Sequence, residues 1–156
     1  MKRRLFLSAL IIAAILAVTA CKRGVDPVNK AGDGLALGGY DCVAYHTEGN
    51  AREGNADFSH QWRGATWRFV SDENRDRFKA APERYAPQYG GYCSWAVSHG
   101  YTANGDPKAW KIVGGKLYLN YNEAVKKKWE ESEGEYIERG DHNWTDFLNH
   151  KPEHKG

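Results

Sequence analysis

Two stretches of this chain alternate apolar and polar residues, and each is followed by a stretch that turns. Over residues 58–70, Phe58, His60 and Trp62 alternate with Ser59, Gln61 and Arg63, and Trp67 and Phe69 continue the apolar face beyond Arg63-Gly64. Period-two alternation across a glycine turn predicts a β-hairpin, with His60 on the aromatic face. Between Trp110 and Tyr121, Trp110 and Ile112 stand opposite Leu117, Leu119 and Tyr121 across Gly114-Gly115, which predicts a second hairpin with a two-residue turn. The residues do not say whether the hairpins share a sheet.

A helix signal follows each hairpin. Ser71 can accept an orphan backbone N–H, and Asp72 and Glu73 suit the positive end of the helix dipole, so a helix is predicted from Asp72 to about Ala80. Phe78 faces inward there, and Arg75, Arg77 and Lys79 form a solvated face. Asn122 opens a second helix in which Val125, Trp129 and Tyr136 share a stripe, weakened midway by Gly134. A short last helix over Asn143–Leu148 would be docked by Trp144 with Phe147 or Leu148. Ahead of the first hairpin, DCVAY is short, apolar and β-compatible, which predicts a brief strand carrying Cys42, and residues 47–57 are loop. Ser94 to His99 predicts one or two helical turns closed by Gly100. The expected fold class is α+β: a small single domain over 39–148, two antiparallel β-hairpins packed with short helices.

The ends of the chain differ from this middle. Lys2, Arg3 and Arg4 precede an apolar run from Leu5 to Ala17 broken only by Ser8, and Val18-Thr19-Ala20 stands before Cys21. That order predicts a signal peptide over 1–20, with an apolar run too short to span a bilayer comfortably. VTAC resembles a bacterial lipobox, in which Cys21 becomes the acylated first residue of the mature chain, anchored in a membrane and facing the periplasm or the cell exterior. Lys22 lacks the aspartate of an inner-membrane retention signal, which favours the outer membrane. Residues 21–38, polar and glycine-rich, show neither period and predict a flexible tether. Residues 149–156 form a polar tail, where His150 and His154, with His142 nearby, could make at best a weak adventitious metal site.

Charge then changes meaning. Loss of residues 1–20 removes three basic residues and no acidic one, taking the formal charge from +2 to −1, so the basic balance of the whole chain implies no nucleic-acid partner. About 135 residues remain, enough for one domain, and six Trp allow an aromatic core.

The densest stretch is APERYAPQYGGYCSWAV, from Ala81 to Val97: Pro82 and Pro87 limit helices, Gly90 and Gly91 permit unusual backbone angles, and Cys93 follows directly. With GYDCVAY, FSHQWRGATWRF, SDENRDRF, PERYAPQYGGYC and DPKAWKIVGGKLYLNYN, the chain from Gly39 to about Trp144 resembles the YHS family, here in a lipoprotein-type form. The resemblance implies a small α+β domain suspected of binding heavy metals, its cysteine the usual candidate. Two positions depart from the family pattern: Cys42 stands where Pro or an aliphatic residue is usual, and His46 where Phe is usual.

The thiol and imidazole inventory of the domain is Cys42, His46, His60, Cys93 and His99, with no C-x-x-C or H-x-x-x-H spacing. Any metal site must be assembled by the fold, and thiolate with imidazole suits copper(I) or zinc(II). Cys93 at the first turn of a helix would have its thiolate stabilised by free N–H groups. If the family role carries over, Cys93 is partly accessible and shares a soft metal with Cys42, His46, His60 or His99. Three alternatives stay open: a Cys42–Cys93 disulfide, two inert buried thiols, or a Cys93 nucleophile with His99 or His60 as base in a thiol redox reaction. No oxyanion motif or phosphate loop accompanies them, and a non-catalytic binder is the expected class. Tyr85, Tyr89, Tyr92, Trp95 and Tyr101 offer a further possibility, an aromatic groove for a small ligand or a protein partner.

Overall fold

The structure, a computed structural model, describes residues 24–149, so the signal peptide, Cys21, His150 and His154 lie outside the described residues. The fold is α+β. Its elements in order are a 3-10 turn at Leu37–Gly39, α1 (Cys42–Thr47), β1 (Asn55–Trp62), β2 (Ala65–Phe69), α2 (Asp72–Ala80), α3 (Pro82–Tyr85), a second 3-10 turn at Gln88–Gly91, α4 (Ser94–Ser98), β3 (Asp106–Val113), β4 (Lys116–Asn120), α5 (Glu123–Glu130) and α6 (Glu133–Asn149). The hairpins β1–β2 and β3–β4 are antiparallel and belong to separate two-stranded sheets.

Both hairpins, their turns and the starts of α2 and α5 stand where the patterning predicts them. The caps are local: Ser71 Oγ accepts the Asn74 N–H at 3.2 Å, and Asn122 Oδ1 the Val125 N–H at 2.9 Å. The expected strand at DCVAY is instead helix α1, because Asp41 caps it, with Oδ1 accepting the N–H groups of Val43 at 2.8 Å and Ala44 at 3.2 Å. The two helices expected at 122–136 and 143–148 divide differently. The chain breaks at residues 131–132, and α6 then runs unbroken through Asn143–Leu148, with Gly134 near its start, where a glycine costs little.

The described part of the expected tether is also folded. Val28, Ala36 and Leu37 are buried, the Ala36 N–H donates to the Thr66 carbonyl at 3.0 Å, and the Asn29 N–H donates to the Gly90 carbonyl at 2.9 Å. A polar, glycine-rich segment hides this well, since three apolar contacts at irregular spacing carry no period.

The chain contains an internal repeat. Leu37, Gly38 and Gly39 have φ of 54°, 58° and 84°; Tyr89, Gly90 and Gly91 repeat them at 54°, 59° and 87°. The next residues but one, Asp41 and Cys93, each stand at the N-cap of a helix and each send an N–H 2.8 Å to a carbonyl, of Arg52 and Ala103. Asn55 Oδ1 then accepts the Asp57 N–H at 3.0 Å, as Asp106 Oδ1 accepts that of Lys108 at 2.8 Å, and both following strands carry a bulge just beyond. Each unit ends in a capped helix whose buried aromatic, Phe78 or Trp129, plugs the hairpin. Gly90 has no freedom to be anything else, since a Cβ there would collide with the Pro27 carbonyl.

Two cores result. Val28, Leu37, Val43, Tyr45, Trp67, Phe69 and Phe78 form the first, with Phe78 stacked on Trp67 at 5.0 Å between centroids. Tyr89, Val97, Tyr118 and Trp129 form the second, covered by Tyr136, Ile137, Trp144 and Phe147 of α6. Strand β4 joins them, because Leu117 and Leu119 enter the first core while Tyr118, pointing the opposite way, enters the second.

The repeat units differ most at the N-cap. Asp41 Oδ2 also accepts the Val70 N–H at 2.9 Å and Asn74 Nδ2 at 2.8 Å, so one buried carboxylate gathers four donors. Asp41→Ala orphans all four and is expected to cost on the order of 3–5 kcal/mol. Cys93→Ala at the matching position is expected to cost about 1–2 kcal/mol. Urea unfolding midpoints check the difference, and equal losses would refute the reading of Asp41 as the stronger of the two matched anchors.

Candidate functional site

The five metal-ligand candidates are placed in different surroundings. Cys42 is wholly buried in the first core, on α1. His46, one turn further along α1, is half-buried and meets Tyr85 edge-on at 5.5 Å; its Nε2 is buried without a hydrogen-bond partner among the described residues. His60 lies on the aromatic face of β1, as its alternation predicts, edge-on to Phe78 at 6.3 Å. His99 is exposed at the end of α4, stacked on Trp95 at 4.2 Å, with Nδ1 2.7 Å from the Trp95 carbonyl and 3.1 Å from Ser98 Oγ. Among the described residues no three His, Cys, Asp or Glu side chains come together as a metal-binding group. Cys42 and Cys93 are separate free thiols, so the disulfide alternative is not formed. His142 is exposed beside Asp146.

Cys93 is not the partly accessible thiol expected of it. It is 1% exposed. Its sulfur accepts the Tyr121 N–H at 3.2 Å, and its S–H can donate to Asn120 Oδ1 at 3.8 Å, while that same oxygen accepts the Trp95 N–H at 3.1 Å. Asn120 Nδ2 and Ser94 Oγ beside it are buried with no partner among the described residues. Burial pushes the Cys93 thiol up, and the amides of Ala96, Tyr121 and Trp95 pull it back only in part. The N–H stabilisation foreseen from the helix start is therefore present, but desolvation outweighs it. Burial, with the Asp41 carboxylate as a smaller contribution, pushes Cys42 up much further. Both sulfurs are protonated, and neither is paired with an imidazole as a nucleophile requires.

The structure assembles an aromatic cleft instead. A half-open cleft of about 380 Å³ lies between the β1–β2 turn, the 86–90 segment, α6 and the folded N-terminal stretch, with Trp62, Trp67, Tyr89, Trp144 and Leu148 as its apolar walls. That volume lies within the usual range for small-ligand pockets. Of the groove residues foreseen by composition, only Tyr89 lines it; Trp95 and Tyr92 pack in the second core, and Tyr101 is exposed.

Tyr89 is the part most tightly fixed. Its φ of 54° is costly for a bulky residue, on the order of 1–3 kcal/mol, and it is held by its hydroxyl, which donates to Asp141 Oδ1 at 2.9 Å with the Ile137 carbonyl at 3.2 Å. Gly140 makes room for that ring, since a Cβ there would lie 2.6 Å from the Tyr89 oxygen. Burial and the Asp141 charge hold the phenol protonated throughout the ordinary pH range.

Four charges rim the cleft. Arg63 lies 4.4 Å over the Trp62 ring and 3.5 Å from Glu83, Lys116 is exposed on the opposite hairpin turn, and Asp141 is engaged by Tyr89. The linear order of residues hides such a site, because its walls come from positions as distant as Pro27, Arg63, Lys116 and Trp144. The recurrence of Gly-Gly-Tyr at 38–40 and 90–92 was the available sequence signal that two equivalent units meet here.

No family model, no curated protein and no solved structure matches the chain.

Two measurements follow. In the Cys21→Ser chain, a disulfide-exchange thiol reagent is expected to find no fast-reacting thiol in the native protein and two after denaturation; a fast native thiol, or fewer than two after unfolding, contradicts the buried, unbridged cysteines. For His46, burial, aided by the nearby Arg84 charge, lowers the folded pKa below 6.5, against a weaker opposing influence of the Tyr85 backbone. A depressed histidine pKa means that the unfolded chain binds the extra proton first. Stability should thus be level above neutrality and decline as pH falls from about 6.5 toward the lower folded value. In thermal melts His46→Phe is expected to remove that part of the slope, and an unchanged slope would show that other groups produce it.

Proposed function

We propose that this chain is a membrane-anchored, extracytoplasmic binding module of YHS type, in which the aromatic cleft takes a small ligand and the two cysteines are structural. The signal-like n-region, the apolar run and VTAC before Cys21 support the anchor, and with it a place in the cell envelope, on the outer membrane in a two-membrane cell. PERYAPQYGGYC with its flanking motifs supports the family. The observation that carries the ligand reading is the cleft itself, an aromatic-walled concavity of about 380 Å³ with a strained tyrosine, its hydroxyl donating to Asp141, in its wall.

The aromatic walls favour a ligand with an apolar or planar body, and Arg63 and Lys116 at the rim favour a negative group on it. No step of chemistry is asked of the site. Soft-metal binding by copper(I) or zinc(II) is the competing reading that the family resemblance supplies, and it would need Cys93 and its neighbours to open before they could converge on an ion.

Anilinonaphthalene sulfonate, an aromatic anion, separates these readings. The Cys21→Ser chain is expected to bind it saturably at one site, with affinity weakened at least tenfold in Trp144→Ala and in Arg63→Ala. Binding indifferent to both substitutions would overturn the cleft. Stoichiometric binding of copper(I) or zinc(II) that disappears in Cys93→Ser would restore the metal reading.

A further inference from the structure

The folded N-terminal stretch changes where the cleft stands relative to a membrane. Sequence patterning alone leaves some eighteen residues of tether, from 21 to 38, and a domain free to tumble at the end of it. In the structure the chain is already committed at Val28, which is 1% exposed, and Pro27 and Val28 are themselves part of the cleft wall. Gly24 lies against the end of α6, where a side chain would come within 3.4 Å of the Phe147 carbonyl oxygen. Leu148, 46% exposed, is the next residue and lines the cleft mouth.

Cys21 precedes Gly24 by three residues, a contour of roughly 10 Å at most. An acyl anchor on Cys21 therefore holds Gly24 within about that distance of the lipid headgroups, whatever path those residues take, and keeps the Leu148 end of the cleft near the membrane. The surface brought down is suited to the place. Trp62 and Trp144 are amphipathic aromatics of the kind that settle at a headgroup layer, Leu148 offers an exposed apolar side chain, and Lys116 has no ion pair among the described residues. Arg63 is half-exposed, and its contact with Glu83, 3.5 Å long between exposed groups, is too weak to keep it from an anionic headgroup. Glu83 and Asp141 are the opposing charges; Asp141 is turned to the Tyr89 hydroxyl.

We infer that the occupant of the cleft is an anionic lipid drawn from the bilayer in which Cys21 is anchored, its acyl chain against Trp62, Trp144 and Leu148 and its headgroup between Arg63 and Lys116. The inference rests on the anchored, cleft-binding reading above and adds to it the ligand's class and the side from which it enters. Free soluble anions and the protein's own acyl chains are the other sources of the same chemistry.

Bromine on a lipid chain quenches tryptophan only on contact, which allows one experiment to tell the sources apart. The mature protein, acylated on Cys21, is placed in vesicles of equal parts phosphatidylcholine and phosphatidylglycerol, with bromine on the phosphatidylglycerol chains. Quenching is expected, is reduced in Trp144→Phe and further reduced when Trp62→Phe is combined with it, and persists in Trp110→Phe, whose ring packs on Tyr45 and does not line the cleft. Arg63→Gln and Lys116→Gln, at exposed positions that the fold does not need, each weaken the response to brominated lipid about fivefold, the effect of one basic residue at an anionic surface. No quenching, or quenching indifferent to these substitutions, overturns the inference, and so does full occupancy by the protein's own unbrominated chains. A parallel titration of the Cys21→Ser chain with soluble bromododecanoate isolates the parent reading: contact with Trp144 there, without quenching from the bilayer, removes the membrane source and leaves the cleft as a site for soluble amphiphiles. No contact in either arm removes both. Cys21→Ser protein that still sediments with vesicles of phosphatidylcholine alone, which offer the cleft no anionic lipid, overturns the anchor on which the orientation depends.

Discussion

One buried carboxylate sets the geometry on which the rest of the molecule depends. Asp41 is fully buried and its two oxygens collect the first turn of α1, the end of β2 and the Asn74 side chain of α2. A charge in that position is tolerable only because every lone-pair direction is answered, and the answer fixes three elements relative to one another. The second repeat unit places the Cys93 sulfur in the equivalent pocket, where it accepts one N–H and donates to Asn120. A thiol holds its surroundings less firmly than a carboxylate and brings no charge. Cys93 is best understood as the weaker of two matched anchors, which is why its conspicuous place in the sequence does not make it reactive.

Duplication explains the remainder of the architecture. Each unit buries one face of its hairpin under its own helix, through Phe78 or Trp129, yet neither closes a core by itself. Strand β4 serves both, sending leucines one way and Tyr118 the other, and the Tyr45 hydroxyl donates to the Pro107 carbonyl at 2.7 Å, joining the first unit to the second. The outer face of the second core is closed by α6, which has no counterpart in the first unit. The seam between α6, the first hairpin turn and the 86–90 segment is therefore a region the repeat does not fill, and the cleft lies there.

The cleft follows from asymmetry between two similar units. The repeated left-handed turn puts Leu37 in the first core, whereas its partner Tyr89 is directed toward α6 and becomes a wall of the cleft with its hydroxyl tied to Asp141. Arg63 and Lys116, each at a hairpin turn, are brought to the same rim only because the two units are packed as they are. The N-terminal stretch then crosses this rim on its way into the core, with Pro27 and Val28 in the cleft wall.

Sequence alone determined what depends on neighbours a few residues away. Alternation at Phe58–Trp62 and Trp110–Ile112, the Gly114-Gly115 turn, and the caps at Ser71 and Asn122 are all local, and the two hairpins and the starts of α2 and α5 were legible for that reason. What required tertiary partners was not. Helix α1 starts at a local Asp41 cap that the apolar run DCVAY masked, but its place in the fold is set where Asp41 meets Val70 and Asn74 about thirty residues away, and residues 28–38 are ordered because Thr66 and Gly90 supply the hydrogen-bond partners that a polar, glycine-rich stretch cannot find in itself. The burial of Cys93 belongs to the same class, since a thiol's solvent access is decided by the strand that covers it, here through Asn120 and Tyr121, and no spacing in the chain records that.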